Sequence, residues 1–266
     1  RVRSYNPVPE IEESQLIEAA KIINAAKKPF VVWGQGIVLG KAEKEFQDFI
    51  EKSGIPCAST LLGLSAMSTE HPLNKGMVGM HGNYAPNVLT NECDVLLGIG
   101  MRFDDRVTGN LKTYAKQAKV IHFEIDPAEV DKNVKTDVAV LGDVKETLTA
   151  ILSKIEKKSY PEWEKRFDEL YDIEFKEVID YQLNPKTEVL TMAEVIKYLN
   201  EQTRGEAVVV SDVGQHQMIA SRYSAFKQSN SKITSGGLGT MGFALPAAIG
   251  AKMGAPEREV VAIIGD

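Results

Sequence analysis

Residues 29–36 read PFVVWGQG, a short apolar run that ends in a turn with two glycines, which is typical of a buried strand followed by a helix. Apolar residues recur at helical spacing in the segment that begins after Glu12, and a second helix is predicted over residues 41–53. Further apolar runs predict buried strands at residues 56–60, 94–100, 119–125 and 138–141. Buried strands that alternate with helices are typical of a parallel sheet covered on both faces. The sequence therefore predicts a doubly wound α/β domain.

Changes in composition divide the chain into three parts. Residues 1–156 form the predicted doubly wound domain, whose last helix is expected over residues 143–156 with Asp143 as its N-cap. Residues 157–190 are highly charged and predict a helical linker between domains. Residues 191–266 predict a second α/β domain. We expect that domain to be incomplete, because the final strand pattern stops without the element that normally covers such a strand.

Two stretches without a clean hydrophobic period are predicted to be loops. Residues 61–82 are rich in Gly, Ser and Met and predict a long functional loop with helical pieces, followed by a helix near residues 86–92. Residues 235–242 read SGGLGTMG and lead into a helix of small residues. Before that loop, the pattern predicts a helix capped by Thr191, a strand at 207–211 and a helix after Gly214.

Charge and hydropathy exclude several classes of partner. The 266 residues carry a formal net charge of −6, and 43% of them are hydrophobic. Nonspecific binding to nucleic acid or to an anionic membrane needs a positive field, which this composition does not provide. No apolar run reaches the roughly 18–20 residues that span a bilayer. We therefore expect neither a nucleic-acid partner nor a membrane.

The strand ends of the first domain carry residues that suit a dinucleotide. Ligands of doubly wound sheets bind beyond the carboxyl ends of the strands. These ends hold the glycine turn 34–36, Arg102 and Arg106 for phosphate, and Glu124 and Asp126 for ribose hydroxyls. The sequence GQGIVLG departs from GxGxxG because its third glycine comes one residue late, so a structural turn remains an alternative. The doublet of aspartates between the arginines also fits a solvated, self-paired loop.

The second domain offers a different chemistry. Backbone amides of the SGGLGTMG loop can face a flat ring, with Met241 beside it. The turn Gly214-Gln215-His216 follows a strand that ends at Asp212. At the end of the last strand, an aspartate after Gly265 can ligate Mg²⁺, which then bridges diphosphate oxygens. Strand–Gly–Asp turns are common, so the dipeptide does not by itself distinguish a metal site from an ordinary turn.

Five segments together resemble the catalytic subunits of acetolactate (acetohydroxyacid) synthases, a family of thiamine-diphosphate-dependent enzymes. They are GMHGNYAPN, MRFDDRVTGN, VGQHQM, TSGGLGTMGFALPAAIGAK and IIGD, in this order along nearly the whole chain. RFDDRVTGN is the most specific of them, and the final Gly-Asp resembles the opening of the family's thiamine-diphosphate motif. The resemblance implies a piece of such a subunit, with a Rossmann-like central FAD domain followed by part of the thiamine-diphosphate domain.

The resemblance also implies which residues serve each site. The implied FAD contacts are Gly34, Gln35, Gly36, Thr60, Leu61, Leu62, Gly79, Met80, His81, Gly100, Arg102, Asp104, Arg106, Val107, Glu124, Ile125, Asp126, Gly142 and Asp143. The implied thiamine-diphosphate contacts are Val213, Gly214, Gln215, His216, Gly239, Met241 and Gly265, with Asp266 on Mg²⁺. Met241 would hold that cofactor in its bent form. Met80, Asp105 and Arg106 would line the substrate channel, with Arg106 paired to a 2-keto acid carboxylate.

The implied reaction condenses two pyruvates, or pyruvate and 2-ketobutyrate, with loss of CO₂. Its products are 2-acetolactate and 2-aceto-2-hydroxybutyrate, early in isoleucine and valine biosynthesis, and FAD is bound without net redox change. The resemblance implies a homodimer or homotetramer, leaves open a small regulatory subunit, and implies the cytoplasm of a bacterium or a plastid or mitochondrion. No segment matches the family's pyrimidine-binding domain with its activating glutamate, so the chain by itself is expected to be inactive.

Two other functions remain open at this point. One is another thiamine-diphosphate carboligase or oxidase, such as a glyoxylate carboligase or pyruvate oxidase, against which RFDDRVTGN argues. The other is a flavin-nucleotide-binding module without catalysis, which leaves the SGGLGTMG loop and the final Gly-Asp without a use. A scaffold protein would leave all of the glycine-rich strand ends unexplained.

Overall fold

The computed structural model describes residues 7–186 and 188–265 and contains two parallel sheets. The strands of the first sheet are β1 (Pro29–Trp33), β2 (Cys57–Ser59), β3 (Asn74–Met77), β4 (Val95–Ile99), β5 (Lys119–Glu124) and β6 (Val138–Leu141). Their order across the sheet is β3-β2-β1-β4-β5-β6, and all five pairings are parallel. The winding reverses between β1 and β4, so the predicted doubly wound α/β fold is confirmed.

Two groups of helices flank this sheet. The helices are α1 (Glu13–Ala25), α2 (Gly36–Leu39), α3 (Glu43–Ser53), α4 (Tyr84–Leu89), α5 (Asp105–Thr108), α6 (Val144–Leu152) and α7 (Pro161–Glu174). Helices α1, α2 and α3 each contact α6, whereas α4 contacts α7. The central strands β1 and β4 are buried along their whole length, as expected for a sheet covered on both faces.

Helix α7 completes the core of the first sheet, although it lies in the segment predicted as a linker. The ring of Phe167 packs 5.2 Å from that of Phe30 in β1, measured between centroids. Trp163 packs edge-on against Phe167, and its indole nitrogen donates to the carbonyl of Pro29 at 2.8 Å. Although this helix is rich in charged residues, its apolar side chains form a stripe that covers β1.

The second sheet is smaller. Its strands are β7 (Val208–Ser211), β8 (Lys232–Thr234) and β9 (Val260–Ile263), in the order β8-β7-β9. The segment before it continues from α7 through a π-helical turn (Phe175–Ile179) into α8 (Asp180–Leu183) and α9 (Met192–Thr203), and α10 (Gln215–Tyr223) and α11 (Ala244–Gly254) follow β7 and β8. Thr191 caps α9 as predicted, through a capping box with Glu194.

Two short strands contradict the sequence prediction. The prediction of a loop with helical pieces over residues 61–82 is wrong at Asn74–Met77, where β3 pairs with β2. β3 is polar because it lies at the edge of the sheet, and only Met77 of its four residues is buried. β8 was not predicted either, since three residues between polar stretches carry no periodic signal.

Several predicted helix limits are also corrected. The second helix begins at Glu43 rather than residue 41, because the short helix α2 and a turn occupy residues 36–42. Helix α4 spans Tyr84–Leu89 rather than residues 86–92. Asp143 does cap α6, which nevertheless ends at Leu152 rather than 156. The chain turns there so that Asn24 can donate to the carbonyl of Lys154 and accept from the amide of Glu156.

The two sheets share a small interface. The amide of Thr69 donates to the carbonyl of Phe226 at 2.9 Å, and the amide of Phe226 donates back to the Thr69 hydroxyl at 3.0 Å. Leu64 and Met77 join Val209 and Phe226 in one buried apolar cluster. The stretch after β2 therefore fixes the second sheet against the first. Over the described part of the chain, no helix has both the length and the apolar character needed to cross a membrane.

Candidate functional site

A cavity of about 730 Å³ lies beyond the carboxyl ends of the first sheet, between the two sheets. Its volume falls within the roughly 300–1,000 Å³ typical of small-molecule and cofactor sites. Predicted site residues that line it are Gly34, Gln35, Gly36, Thr60, Leu61, Leu62, Gly79, Met80, His81, Gly100, Arg102, Asp104, Asp105, Arg106, Val107, Glu124, Ile125, Gly142, Asp143, Val213 and Gly239. The structure thus brings together predicted residues from eight separate stretches of the sequence.

Three glycines form one wall of the cavity by direct backbone contact. A Cβ atom on Gly34 would lie 2.5 Å from the carbonyl oxygen of Gly100, and one on Gly36 would lie 2.6 Å from the Gly100 Cα. Gly100 itself has a φ of 57° and accepts from the amide of Gly36 at 2.9 Å. The turn after β1 therefore rests on the turn after β4. The packing of the two turns therefore requires glycine at these positions, and their backbone also lines the cavity.

The arginine-bearing turn after β4 is organised by Asp104. Its carboxylate caps α5, accepting from the amides of Arg106 and Val107 at 3.0 and 3.2 Å. Its second oxygen lies 3.8 Å from the guanidinium of Arg102. Both arginine side chains are exposed and line the cavity, so their remaining donors are available to an anion.

The turn at residues 79–81 faces these arginines. The side-chain amide of Asn87 donates to the carbonyl of Gly79 and accepts from its amide, at 2.9 and 2.8 Å. The amide of Met80 donates to the carbonyl of Arg106 at 2.9 Å, which joins this turn to α5. Burial, with a smaller contribution from the nearby Arg106 charge, lowers the pKa of His81 below its ordinary value. His81 is therefore neutral at pH 7. The sequence analysis assigned no role to Asn87, although it is the last residue of the GMHGNYAPN segment.

Two carboxylate side chains, Glu124 at the end of β5 and Asp143 after β6, line the next part of the cavity. Glu124 is almost fully buried, and its Oε1 accepts from the amides of Ile125 and Asp126 at 2.9 and 3.1 Å. Asp126 itself does not line the cavity, because its carboxylate turns away to accept from the amide of Ala128. Asp143 caps α6 at the cavity edge.

Further residues outside the predicted contacts also line the cavity, and those of the second unit include the start of the SGGLGTMG loop. Lining residues absent from the prediction are Leu39, Gly40, Met77, Val78, Met101, Phe123, Val144, Gln217, Ser235, Gly236 and Gly237. Gly236 lies so close to Leu62 that a Cβ atom would come within 2.6 Å of a leucine methyl group. Gln217 donates to the hydroxyl of Thr234 at 2.8 Å. Which of these residues reach the cavity depends on how the sheets pack, and no local pattern reports that.

A second group of predicted residues lies apart from this cavity. The ring of His216 lies against Gly214 and Gly265, where added Cβ atoms would fall 2.9 and 2.8 Å from its Cε1. Its Nε2 is buried and has no hydrogen-bond partner among the described residues. Gln215, next to it, is exposed, as is the side chain of Met241 in the SGGLGTMG loop. Asp266, predicted to ligate Mg²⁺, lies outside the described residues.

Asp212 is a further residue that links β7 to this loop. The aspartate is buried, and its carboxylate accepts from the amide of Ala244, the first residue of α11, at 2.7 Å. It therefore holds the end of the loop against the end of β7. Within residues 7–186 and 188–265, no group of three or more His, Cys, Asp or Glu residues is arranged to hold a metal ion.

Comparison with known proteins assigns both parts of the chain. Residues 16–151 match the family model described as thiamine pyrophosphate enzyme, central domain. Residues 212–266 match the one described as thiamine pyrophosphate enzyme, C-terminal TPP binding domain. The chain belongs to the thiamine pyrophosphate enzyme family. The cavity thus lies between the central domain of a thiamine pyrophosphate enzyme and the matched part of its C-terminal domain.

Three similar curated proteins are named as acetolactate synthases or their large subunits. The chain is 40% identical over 264 residues to the acetolactate synthase large subunit of Lactococcus lactis, an alignment that covers 98% of this chain and 45% of the relative. It is 39% identical over 267 residues to a probable acetolactate synthase large subunit of Methanocaldococcus jannaschii, covering 98% and 45%. It is 40% identical over 271 residues to the acetolactate synthase of Mycobacterium leprae, covering 98% and 42%. The predicted resemblance is confirmed, and this thiamine pyrophosphate enzyme chain spans about half the length of these relatives.

The two sets of residues suit, in different ways, the two organic cofactors that the sequence resemblance implies. The cavity combines a backbone wall without side chains, two arginines and a buried carboxylate, which suits a pyrophosphate and a ribose. The ring of His216 has an orphaned nitrogen and lies beside Gly214, an arrangement that suits a diphosphate oxygen. The SGGLGTMG loop leaves open space at Gly237 and Gly242, so a ring can approach its backbone.

Proposed function

We propose that this chain is part of the catalytic subunit of an acetolactate synthase and carries its FAD site and part of its thiamine-diphosphate site. The observation that carries the proposal is the cavity beyond the strand ends of the central domain, where the glycine wall, Arg102, Arg106 and Glu124 lie together. The whole protein then condenses two pyruvates, or pyruvate and 2-ketobutyrate, with loss of CO₂. The names of the relatives support this choice over other thiamine-diphosphate enzymes.

FAD would occupy the whole length of the cavity. The backbone at Gly34, Gly36 and Gly100 admits the pyrophosphate closely, and the two arginines neutralise its charge. Glu124 accepts from ribose hydroxyls, because its carboxylate is already oriented by two backbone amides. These residues bind and orient the flavin nucleotide, and no redox step is assigned to them.

Thiamine diphosphate, when bound, supplies the electron sink for loss of CO₂ from a 2-keto acid. This chain would contribute Gly214, His216 and Gly265 to the diphosphate, and Asp266 to its Mg²⁺. The exposed Met241 would support the ring from the SGGLGTMG loop. Asp212 would keep that loop in place through the start of α11.

The substrate is proposed to enter between Met80, Asp105 and Arg106, which line the cavity. Arg106 binds the carboxylate of the 2-keto acid, since a guanidinium matches a carboxylate in a bidentate pair. His81 beside it is neutral at pH 7 and adds no charge of its own. We further propose that the whole enzyme is a homodimer or homotetramer, with a small regulatory subunit as an open partner.

A flavin titration tests the cofactor part of the proposal. Quenching of FAD fluorescence by the 266-residue chain should saturate, whereas NAD should give no response. Gly100→Ala should weaken FAD binding at least about tenfold, because the new methyl group would lie 2.9 Å from the Cα of Gly36. Gly109→Ala is the matched control, because Gly109 has a φ of 56° but nothing within 4 Å of an added Cβ.

Each outcome of the titration is decisive for this chain. Equal FAD affinities for the two alanine variants would contradict the role of the glycine wall. No FAD binding by a wild-type chain with a folded circular dichroism spectrum would contradict the FAD site. The activity itself is measured on the full-length protein that contains this chain, as acetolactate formed from pyruvate with thiamine diphosphate, Mg²⁺ and FAD. The 266-residue chain should form none in the same assay.

A further inference from the structure

His122 is a fully buried histidine to which the proposed activity gives no role. It lies in β5, where its register partners are Gly98 in β4 and Ala139 in β6. Register partners share a face of a parallel sheet, and a Cβ atom on Gly98 would lie 2.8 Å from the Phe103 ring, so this glycine leaves room for Phe103. Phe103 occupies this space, with its ring centroid 4.9 Å from that of His122 and the planes at 64°. Gly98 thus allows an aromatic ring to pack directly against the histidine.

The imidazole joins two parts of the cavity wall. Its Nε2 lies 2.8 Å from the carbonyl oxygen of Met101 and 3.5 Å from Oε2 of Glu124. Since a carbonyl oxygen can only accept, Nε2 carries the hydrogen and donates to Met101. Met101 immediately precedes the arginine-bearing turn, and Glu124 is two residues beyond His122 on the same face of β5. One side chain therefore fixes the distance between the arginine-bearing turn and the carboxylate.

We propose that His122 is a positioning residue for nucleotide binding in this cavity, acting through Met101 and Glu124. The inference rests on the proposed FAD site. Oε1 of Glu124 is held by the amides of Ile125 and Asp126, and Oε2 is the oxygen that faces the imidazole. In the proposed site, the ribose of the nucleotide contacts this carboxylate and its phosphates contact the arginines. Binding therefore requires a fixed distance between the carboxylate and the arginine-bearing turn. Loss of the imidazole would free the Met101 carbonyl and leave Glu124 held only through Oε1.

The choice of variants separates this role from simple core packing. In His122→Gln, the side-chain amide nitrogen takes the place of Nε2 and can still donate to Met101. In His122→Asn, the amide falls near Nδ1 instead, so the donor is lost while a polar group stays buried. Ile121→Val is the control for stability, because Ile121 is buried on the opposite face of β5. Glu124→Gln, combined with His122→Asn, tests whether the two residues act together.

The FAD dissociation constant of the full 266-residue chain is the readout. His122→Asn should raise it roughly tenfold, the effect of one lost buried hydrogen bond, and His122→Gln should stay within about threefold of wild type. Ile121→Val should lower the unfolding midpoint without changing FAD affinity. Adding His122→Asn to Glu124→Gln should weaken binding by less than about threefold, because the two losses share one arrangement.

Three results would overturn the inference and leave the FAD site intact: wild-type affinity in His122→Asn, equal losses in the Asn and Gln variants, or fully additive effects with Glu124→Gln. Failure of the wild-type chain to bind FAD would overturn the inference together with the proposed function. Should His122→Asn not fold, nitrogen-15 spectra of the wild-type chain decide. The His122 ring must carry its proton on Nε2, and its signals must shift when FAD is added; a proton on Nδ1, or no shift, would overturn the proposal.

Discussion

The two sheets of this chain are covered to different degrees. In the first, β1 and β4 are buried along their whole length and helices flank the sheet. In the second, only β7 is buried throughout, β9 is partly exposed, and Leu245, Ile249 and Met253 of α11 are exposed. The same parallel strand-and-helix architecture thus produces a closed core in one unit and an open face in the other. Of the two units that line the cavity, the first therefore contributes the fully covered wall.

The largest effect should come from removing a side chain in the closed core. Phe30→Ala deletes a fully buried ring that packs on Phe167, and should lower the free energy of unfolding by about 3–5 kcal/mol. Ile249→Ala removes a side chain that is 56% exposed and should cost less than about 1 kcal/mol. Both tryptophans, Trp33 and Trp163, are buried in the first core, so their fluorescence during urea unfolding reports that unit.

The same experiment can show whether the second unit is less covered than the first. Circular dichroism follows the helices of both units, so it serves as the second probe in the urea titration. If Ile249→Ala shifted the circular dichroism midpoint as far as Phe30→Ala, the face of α11 would have to be covered in solution, and the second unit could not be called open.

An intermediate effect is expected from a lysine inside the second sheet. Lys232 in β8 donates to the hydroxyl of Ser211 at 2.7 Å, and no carboxylate among the described residues forms an ion pair with it. Burial lowers the pKa of this ammonium from 10.5 to about 7. Between these values the unfolded chain binds more protons than the folded one, so stability should rise from pH 6 to pH 9.

Lys232→Met should remove this rise, which amounts to about 2–3 kcal/mol at roughly 1.4 kcal/mol per pKa unit. The variant should therefore exceed the wild type in stability most clearly at pH 6, and the advantage should shrink by pH 9. Lys227→Met is the matched control, because Lys227 is exposed and pairs with Glu70 at 3.1 Å. Urea midpoints from circular dichroism at both pH values check this. Parallel pH curves for the wild type and Lys232→Met would refute the buried ammonium.

The smallest effect compares two aspartates that hold helix starts, one in each unit. Asp143→Ala removes the cap of α6, and Asp212→Ala removes the acceptor for the first amide of α11. Each should cost about 1 kcal/mol. Because the second unit is more open, Asp212→Ala should speed amide hydrogen exchange in residues 235–254 without changing the first sheet. Equal exchange in this segment before and after the substitution would show that Asp212 does not hold the loop.

Much of the first sheet could be predicted from the sequence, because buried parallel strands are continuous apolar runs. The exception was β3, which is short and polar at the edge of this sheet. In the second sheet, the short edge strand β8 was missed in the same way. Most of the cavity followed from one rule, that ligands bind beyond the carboxyl ends of parallel strands.

Other parts of the site could not be predicted, because they depend on register and on packing between sheets. The packing of Phe103 on His122 depends on Gly98, the register partner of His122 in β4, because an added Cβ atom there would meet the Phe103 ring. Gln217 reaches the cavity only because β7 and its following helix pack against the first unit. Asp126 looked equivalent to Glu124 in the sequence, yet the next turn uses its carboxylate for a local cap.

The contact between Gly34, Gly36 and Gly100 also has a consequence for evolution. Each of these glycines blocks a side chain on its partner, so no single substitution at any of the three can be accommodated gradually. Substitutions at these positions would have to occur together, or only after both turns had shifted. Such combinations are rare in evolution. At the edge of the cavity, the side chains of Arg102, Asp105 and Arg106 are exposed and can change one at a time. Lineages descended from this protein should therefore diversify in what the cavity's edge recognises while inheriting its glycine wall unchanged.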